Sequence, residues 1–174
     1  DNIRVEGTGS GTPVLLETFN ECALPNGWLN ETLSGPAGWS FGMVDNENAG
    51  ANNSINGSCM AFFDDDGLGE DAPFSKALLL SPVINGLEFS EYRLEFDAVI
   101  RQYTDLESLS VGLRDEATGE TAWAQAYLED QGGPLFDNSV QLVVDLSEYR
   151  SPQMRLAFLY DDGNGWGWWA ALDN

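Results

Sequence analysis

Short stretches in which apolar and polar residues alternate recur along this chain. The clearest is residues 92–99, where Tyr92, Leu94 and Phe96 alternate with charged side chains. A period of two residues is typical of a β-strand with one buried face. Alternation, together with the turn residues between apolar runs, predicts strands at residues 14–19, 58–63, 77–80, 92–99, 109–114, 121–124, 140–146, 154–160 and 166–173.

The segments between these strands also favour a β fold. No segment longer than about two turns repeats with the 3.6-residue period of a helix. Short strands in this number, separated by Gly, Pro, Asn and Asp, predict an all-β sandwich. Residues 22–56 are expected to be mostly loop. Residues 1–12 are polar and rich in glycine, which predicts a linker or flexible arm and leaves residues 13–174 as a single domain.

The charge balance narrows the range of partners. Asp and Glu number 29 against 7 Lys plus Arg, which gives a formal net charge of -22. Such a surface repels nucleic acid and anionic lipid, and no stretch approaches the roughly 20 apolar residues of a membrane span. We therefore expect no nucleic-acid partner and no membrane insertion. The carboxylates either form a solvated surface or converge in part on a divalent cation such as Ca²⁺.

The chain contains no histidine, and this argues against an enzyme. The commonest general base, the nucleophile pairs that use histidine, and the usual ligands of catalytic zinc are all excluded. Chemistry that needs only carboxylates, such as glycoside hydrolysis, remains compatible with the composition. The prediction is a non-enzymatic protein, with a small carboxylate-dependent hydrolase as an alternative.

Cys22 and Cys59 are the only cysteines. They form either one disulfide, in an oxidising compartment, or two buried free thiols.

A series of motifs indicates a more specific fold. It runs through residues 17–19 (ETF), 24–28 (LPNGW), 38–40 (GWS), 79–83 (LLSPV), 94–96 (LEF), 143–147 (VVDLS), 156–160 (LAFLY) and 168–174 (WWAALDN). Their order resembles the MAM-like jelly rolls of bacterial secreted proteins, of the cleaved-adhesin and choice-of-anchor J type. The resemblance covers residues 14–174 and implies a jelly-roll β-sandwich of two antiparallel sheets, secreted or at the cell surface.

The same resemblance implies a structural calcium ion. Glu17 and Asp173 fall on the positions of its ligands, with Asn52 or its neighbours supplying loop oxygens. Oxygen ligands suit Ca²⁺. Asp64 and Asp66 belong to a separate acidic run at residues 64–71, which is either a cation-stabilised loop or an acidic, solvated turn.

Six tryptophans are more than the core of a domain this size needs, and exposed aromatic rings stack on sugars. In the last predicted strand Trp168 shares a face with Leu172, whereas Trp169 lies on the opposite face. Trp166 and Trp169 are therefore the candidate ligand-binding residues, together with Tyr103 in the loop that follows the strand at residues 92–99.

These observations predict a secreted, calcium-stabilised module for adhesion or carbohydrate binding. Its partner would be an extracellular glycan or protein surface, and it would act as a monomeric module within a larger chain. A structural spacer without a ligand of its own is the alternative.

Overall fold

The computed structural model describes residues 3–9, 12–46, 48, 50–103, 106–133 and 135–173. These residues contain β-strands and short 3-10 helices but no α-helix, which confirms the all-β prediction. Within these ranges no helix is long and apolar enough to cross a membrane. The strands are β1 Ile3–Gly7, β2 Leu15–Glu17, β3 Leu29–Ser34, β4 Ser40–Gly42, β5 Val44–Asn46, β6 Gly50–Asn53, β7 Met60–Asp64, β8 Lys76–Leu80, β9 Tyr92–Arg101, β10 Ser108–Asp115, β11 Thr121–Tyr127, β12 Val140–Asp145, β13 Met154–Asp161 and β14 Trp169–Asp173.

The strands form two main antiparallel sheets that face each other, as a β-sandwich requires. One sheet has the order β2-β1-β9-β14-β7-β4, with β12 paired to the other edge of β9. The second has the order β11-β10-β13-β8-β3. The strands β5 and β6 form a small separate hairpin. The predicted sandwich of two antiparallel sheets is confirmed.

The main core lies between the two sheets and is built by the alternation seen in the sequence. Leu94 and Phe96 of β9 meet Val111 of β10 and Phe158 of β13, and all four side chains are fully buried. The rings of Phe96 and Phe158 pack edge to face with centroids 5.4 Å apart. Burial of each such side chain stabilises the fold by about 1.5–3 kcal/mol.

A second, smaller core covers the outer face of the first sheet. Val99 of β9 and Trp169 of β14 point away from the main core. Val44, Ile55 and Met60 pack over them, so that this face is closed by the segment that runs from β5 to β7. The sheet is therefore buried on both faces at this point.

Four strand ends meet at one place in the first sheet, which we call the junction. Strands β1 and β14 lie on the same edge of β9, because β1 pairs with residues 92–95 and β14 with residues 97–101. The end of β14 therefore leads into the start of β1. The end of β2 and the start of β7 lie beside them, because Glu17 pairs with Ile3 and Leu172 with Ala61.

The linker predicted for residues 1–12 is wrong for residues 3–7. These form β1, which pairs with both β2 and β9, and the side chains of Ile3 and Val5 are fully buried. The predicted loop at residues 22–56 likewise contains β3, β4, β5 and β6.

Cys22 and Cys59 form a disulfide, so the first of the two alternatives left open by the sequence is the one found. The bond joins the loop after β2 to the residue before β7, and it lies next to the junction.

Candidate functional site

Three aromatic side chains gather at one end of the first sheet. The ring centroid of Tyr103 lies 4.8 Å from that of Trp166 and 6.4 Å from that of Trp168. The Tyr103 and Trp168 rings are nearly parallel, with 17° between their planes. Tyr103 is 57% exposed, and the two tryptophans are half-buried. These three residues are called the aromatic patch below.

The pairing of two strands creates this patch. Tyr103 follows the end of β9, and Trp166 and Trp168 precede the start of β14. Because Trp169 pairs with Arg101, the end of one strand lies beside the start of the other. The two loops are therefore neighbours, although they are far apart in the sequence.

Charged and polar groups border the aromatic patch. The Arg101 guanidinium lies over the Trp168 ring, with its Cζ 5.4 Å from the centroid, which is within the range of a cation–π contact. Arg101 also forms an ion pair with Asp130, whose Oδ1 accepts the backbone N–H of Gln102 at 2.8 Å. Aromatic faces with donors and acceptors at their edge can bind a ring that has one apolar face and polar substituents.

The acidic run at residues 64–71 lies against the same end of the sheet. The backbone carbonyl of Trp168 accepts the N–H groups of Asp65 and Asp66 at 2.9 and 3.0 Å. Asp66 Oδ2 accepts the side-chain amide of Asn48 at 2.7 Å. Asp64 Oδ1 accepts the Gly67 N–H at 3.1 Å. Asp64 and Asp66, the two predicted metal ligands of this run, thus each accept a hydrogen bond from their own loop or from a neighbouring loop.

Three carboxylates are buried behind the patch: Asp65, Glu107 and Asp162. Asp65 Oδ2 accepts the N–H of Gly167 at 2.6 Å. Asp162 Oδ1 accepts the N–H of Asn164 at 2.9 Å, and its Oδ2 accepts the N–H of Ser75. These backbone donors fix the loops on either side of the patch.

Burial affects the ionisation of Asp65 and Asp162. It raises the pKa of Asp65 and of Asp162, since each loses the hydration of its charged form and faces other carboxylates. The pKa of Tyr160, whose hydroxyl lies among them, is raised for the same reason.

Trp169 is not a surface residue, and its assignment as a ligand-binding residue is wrong. The face assigned to it is correct, because it points away from Ala170 and Leu172 in the main core. That face is covered by Val44, Ile55 and Met60, and the Trp169 side chain is fully buried. Its neighbour Trp168, which the alternation places on the same face as the core residue Leu172, is half-buried and belongs to the patch.

The residues of the predicted calcium site lie near the junction. Glu17 pairs with Ile3, which faces the main core, whereas Asp173 pairs with Asp97 on the opposite face. Glu17 Oε1 accepts the N–H groups of Thr18 and Phe19, both at 2.9 Å.

Asp173 is fully buried, and its Oδ2 accepts the Ser58 hydroxyl at 2.9 Å. The backbone of Asn52 belongs to β6, and its side chain lies outside the described residues. Across the part of the chain that the structure describes, no three acidic or cysteine side chains form a ready metal-binding group.

The sequence did not single out Arg101, Asp65 or Glu107. Arg101 is one of only seven basic residues, and its position two residues before Tyr103 was a usable signal. The two carboxylates resemble the other acidic residues of the chain, and only the fold shows that they are buried.

No protein-family model matches this sequence, and no curated protein sequence matches it. The chain is similar in structure to the K1 cleaved adhesin domain of Lys-gingipain from Porphyromonas gingivalis W83, with a TM-score of 0.64 and 18% identity over 90% of this chain and 92% of that chain. For the K3 domain of the same protein the TM-score is 0.64 and the identity 16%, over 92% and 94% of the two chains.

A variant of CBM29-2, a family 29 carbohydrate binding module, is also similar, with a TM-score of 0.51 and 16% identity over 90% of this chain and 85% of that chain. At these identities the likeness establishes the fold. The chain has the β-sandwich of a cleaved-adhesin-type module, which confirms at the level of the fold the resemblance that the motifs indicated.

Proposed function

We propose that this chain is a non-catalytic adhesion or carbohydrate-binding module that binds an extracellular glycan through the aromatic patch. The observation that carries the proposal is the gathering of Tyr103, Trp166 and Trp168 from two loops, with the Tyr103 ring more than half exposed. Two of these residues were candidates from the sequence alone. The fold shared with cleaved adhesin domains and a carbohydrate binding module supports the proposal.

The chemistry of the patch fits a sugar. The apolar C–H face of a pyranose packs on an aromatic ring, and its hydroxyl groups need donors and acceptors at the ring edge. Arg101 and Asp130 supply such groups, since Arg101 lies over the Trp168 ring and Asp130 pairs with Arg101 and with the backbone of Gln102. The many acidic residues disfavour anionic polysaccharides, so a neutral glycan is the expected ligand.

The buried acids do not supply a hydrolase site. Asp65, Glu107 and Asp162 are at most 2% exposed, and a glycosidic bond outside the protein cannot reach them.

The disulfide supports a secreted or cell-surface location, because such bonds persist in oxidising compartments. Calcium stabilisation remains part of the proposal. Because Glu17 and Asp173 lie on opposite faces of the first sheet, the ion is expected to take one of these two carboxylates as a ligand, together with oxygens of the neighbouring loops.

Binding of the wild-type protein to a broad panel of neutral and charged glycans, followed by calorimetry with the strongest ligand, tests the function. Tyr103→Ala and Trp166→Ala are each expected to weaken binding by about tenfold or more, because central aromatic contacts dominate such interfaces. Trp123→Ala is the matched control, since Trp123 is a 39% exposed tryptophan on β11 of the second sheet. It should leave affinity unchanged.

Two results would contradict the proposal. If the wild type binds no glycan on the panel, the chain is a spacer or binds a protein. If Trp123→Ala abolishes binding while Tyr103→Ala does not, the site lies on the second sheet.

A further inference from the structure

Glu107 is a buried carboxylate that contacts the loop of Tyr103. It is 1% exposed, so a glycan on the surface cannot touch it. Its Oε1 accepts the backbone N–H of Tyr103 at 2.7 Å. Its backbone carbonyl accepts the side-chain amide of Gln102. The loop that carries the most exposed ring of the aromatic patch is therefore attached to Glu107 at two points.

Glu107 also contacts the second loop of the patch, the one that carries Trp166 and Trp168. It packs against Gly167, the residue between Trp166 and Trp168. A Cβ placed on Gly167 would lie 2.7 Å from Glu107 Cγ and 2.9 Å from its Oε1, and closer still to the Tyr160 hydroxyl. Real Cβ atoms essentially never approach other atoms this closely, so only a residue without a side chain allows the contact.

The backbone at Gly167 is itself held in place. Its N–H donates to Asp65 Oδ2 at 2.6 Å, and the next carbonyl, that of Trp168, accepts the N–H of Asp65 and of Asp66. A movement of Glu107 therefore displaces the Tyr103 loop relative to a fixed tryptophan loop.

We propose that Glu107 is a positioning residue for the glycan site, an inference that rests on the function proposed above. Glu107 sets the separation between the Tyr103 ring and the two indole rings, through one hydrogen bond on one side and direct packing on the other. Burial of a carboxylate costs free energy of folding, and loss of its acceptor would leave the Tyr103 N–H without this partner. Affinity thus depends on a residue that the ligand does not touch.

Three variants separate this role from a general loss of structure. Glu107→Ala removes the acceptor, whereas Glu107→Gln keeps an acceptor oxygen in the same place and removes the charge. Gly167→Ala removes no hydrogen-bonding group and inserts a methyl group between the two loops. The φ angle of Gly167 is outside the left-handed region, so alanine causes no backbone strain there.

The expected result is a loss of affinity for the best glycan of about tenfold or more in Glu107→Ala and Gly167→Ala. Glu107→Gln should bind within about threefold of the wild type, because the acceptor is retained. Affinity is measured by calorimetry well below the melting temperature of each variant. Glu107→Gln failing together with Glu107→Ala would overturn the proposal.

Asp115→Ala is the matched control. Asp115 also holds a loop by accepting backbone N–H groups, those of Ala117 and Thr118, but it does so in the β10–β11 turn, away from the patch. This variant should lose stability without losing affinity. If its affinity falls as much as that of Glu107→Ala, the effect is not one of position and the proposal is wrong.

A second measurement does not need a ligand. Near-ultraviolet circular dichroism is sensitive to the packing of aromatic rings against one another. The spectrum of the wild type minus that of Tyr103→Ala gives the signal that arises from the contact between the Tyr103 ring and the tryptophan rings. Glu107→Ala and Gly167→Ala should lose this difference signal, and Glu107→Gln should keep it. If the wild type binds no glycan, the proposed function fails but this signal still decides the positioning role. If the signal persists in both variants, the role of Glu107 is refuted whatever the ligand.

Discussion

The rings of Trp168 and Trp169 lie 5.0 Å apart, centroid to centroid, yet they differ in exposure. Trp169 is fully buried in the small core on the outer face of the first sheet, whereas Trp168 packs against that core, is half-buried and also belongs to the aromatic patch. One adjacent pair of residues therefore serves both stability and the candidate binding surface. The two roles can be separated by mutation.

Trp169→Ala is expected to destabilise the protein by about 3–5 kcal/mol, because it leaves a large cavity under Val44 and Ile55. Trp166→Ala should cost clearly less, since Trp166 is only half-buried and lies outside both cores. Urea unfolding followed by fluorescence measures both values. Equal losses in the two variants would show that the burial of Trp169 is not as described.

Removal of the disulfide by Cys22→Ala with Cys59→Ala is expected to cost about 2–5 kcal/mol. The bond joins two residues that are 37 positions apart in the sequence. It lies next to the junction, where β2 ends and β7 begins. Thermal unfolding of the double variant, compared with the wild type with and without reductant, measures the effect. Reductant should leave the double variant unchanged.

The contribution of Asp65 and Asp162 to stability should decrease as the pH rises above the ordinary aspartate pKa of 3.8. Burial raises the pKa of Asp65 and Asp162 in the folded state, so the folded protein binds more protons than the unfolded chain in this window. The contribution is present at pH values below 3.8 and is lost as the pH rises through the raised folded-state pKa. The free energy of unfolding, measured by urea denaturation across this range, reports it.

The variants Asp65→Asn and Asp162→Asn should flatten this pH dependence. Asp71→Asn removes the same charge from an exposed site of the acidic run and is the control for the net charge. If Asp71→Asn flattens the profile as much as the buried variants, the effect comes from overall repulsion rather than from burial.

Calcium is expected to raise the melting temperature and EDTA to lower it, because an ion that binds only the folded state stabilises that state by mass action. The response should be lost in one of the two variants Glu17→Gln and Asp173→Asn, namely the one that removes the carboxylate bound to the ion. Since the chain carries a net charge of -22, magnesium at the same concentration is the control for general screening. An unchanged melting curve in EDTA would refute the calcium proposal.

The sequence predicted those strands in which the alternation of apolar and polar residues coincides with the alternation of buried and exposed positions. Residues 92–98 alternate strictly, and β9 buries Leu94 and Phe96 on one face and exposes Arg93 on the other. The strand β3 was missed because its apolar residues Leu29 and Leu33 point to solvent, so no buried stripe marks it.

Other features depended on contacts between distant parts of the chain. Ile3 and Val5 alternate with polar residues in β1, but this signal covers few residues and lies next to a glycine-rich stretch. Alternation gave the face of Trp169 but not what covers that face. Tyr103 and Trp166 were candidates from residue type alone, and only the β9–β14 pairing shows that they meet.

The geometry of the junction favours circular permutation of this fold. Because β14 leads into β1 along one edge of β9, a short peptide could join residue 173 to residue 3 without crossing the sandwich. New ends could then be opened in the β10–β11 turn. The resulting circular permutant could be inserted into a loop of a host protein through these two neighbouring ends. Partner domains attached at the original ends would both emerge at one corner, so that the module would hang to the side of a stalk instead of extending it.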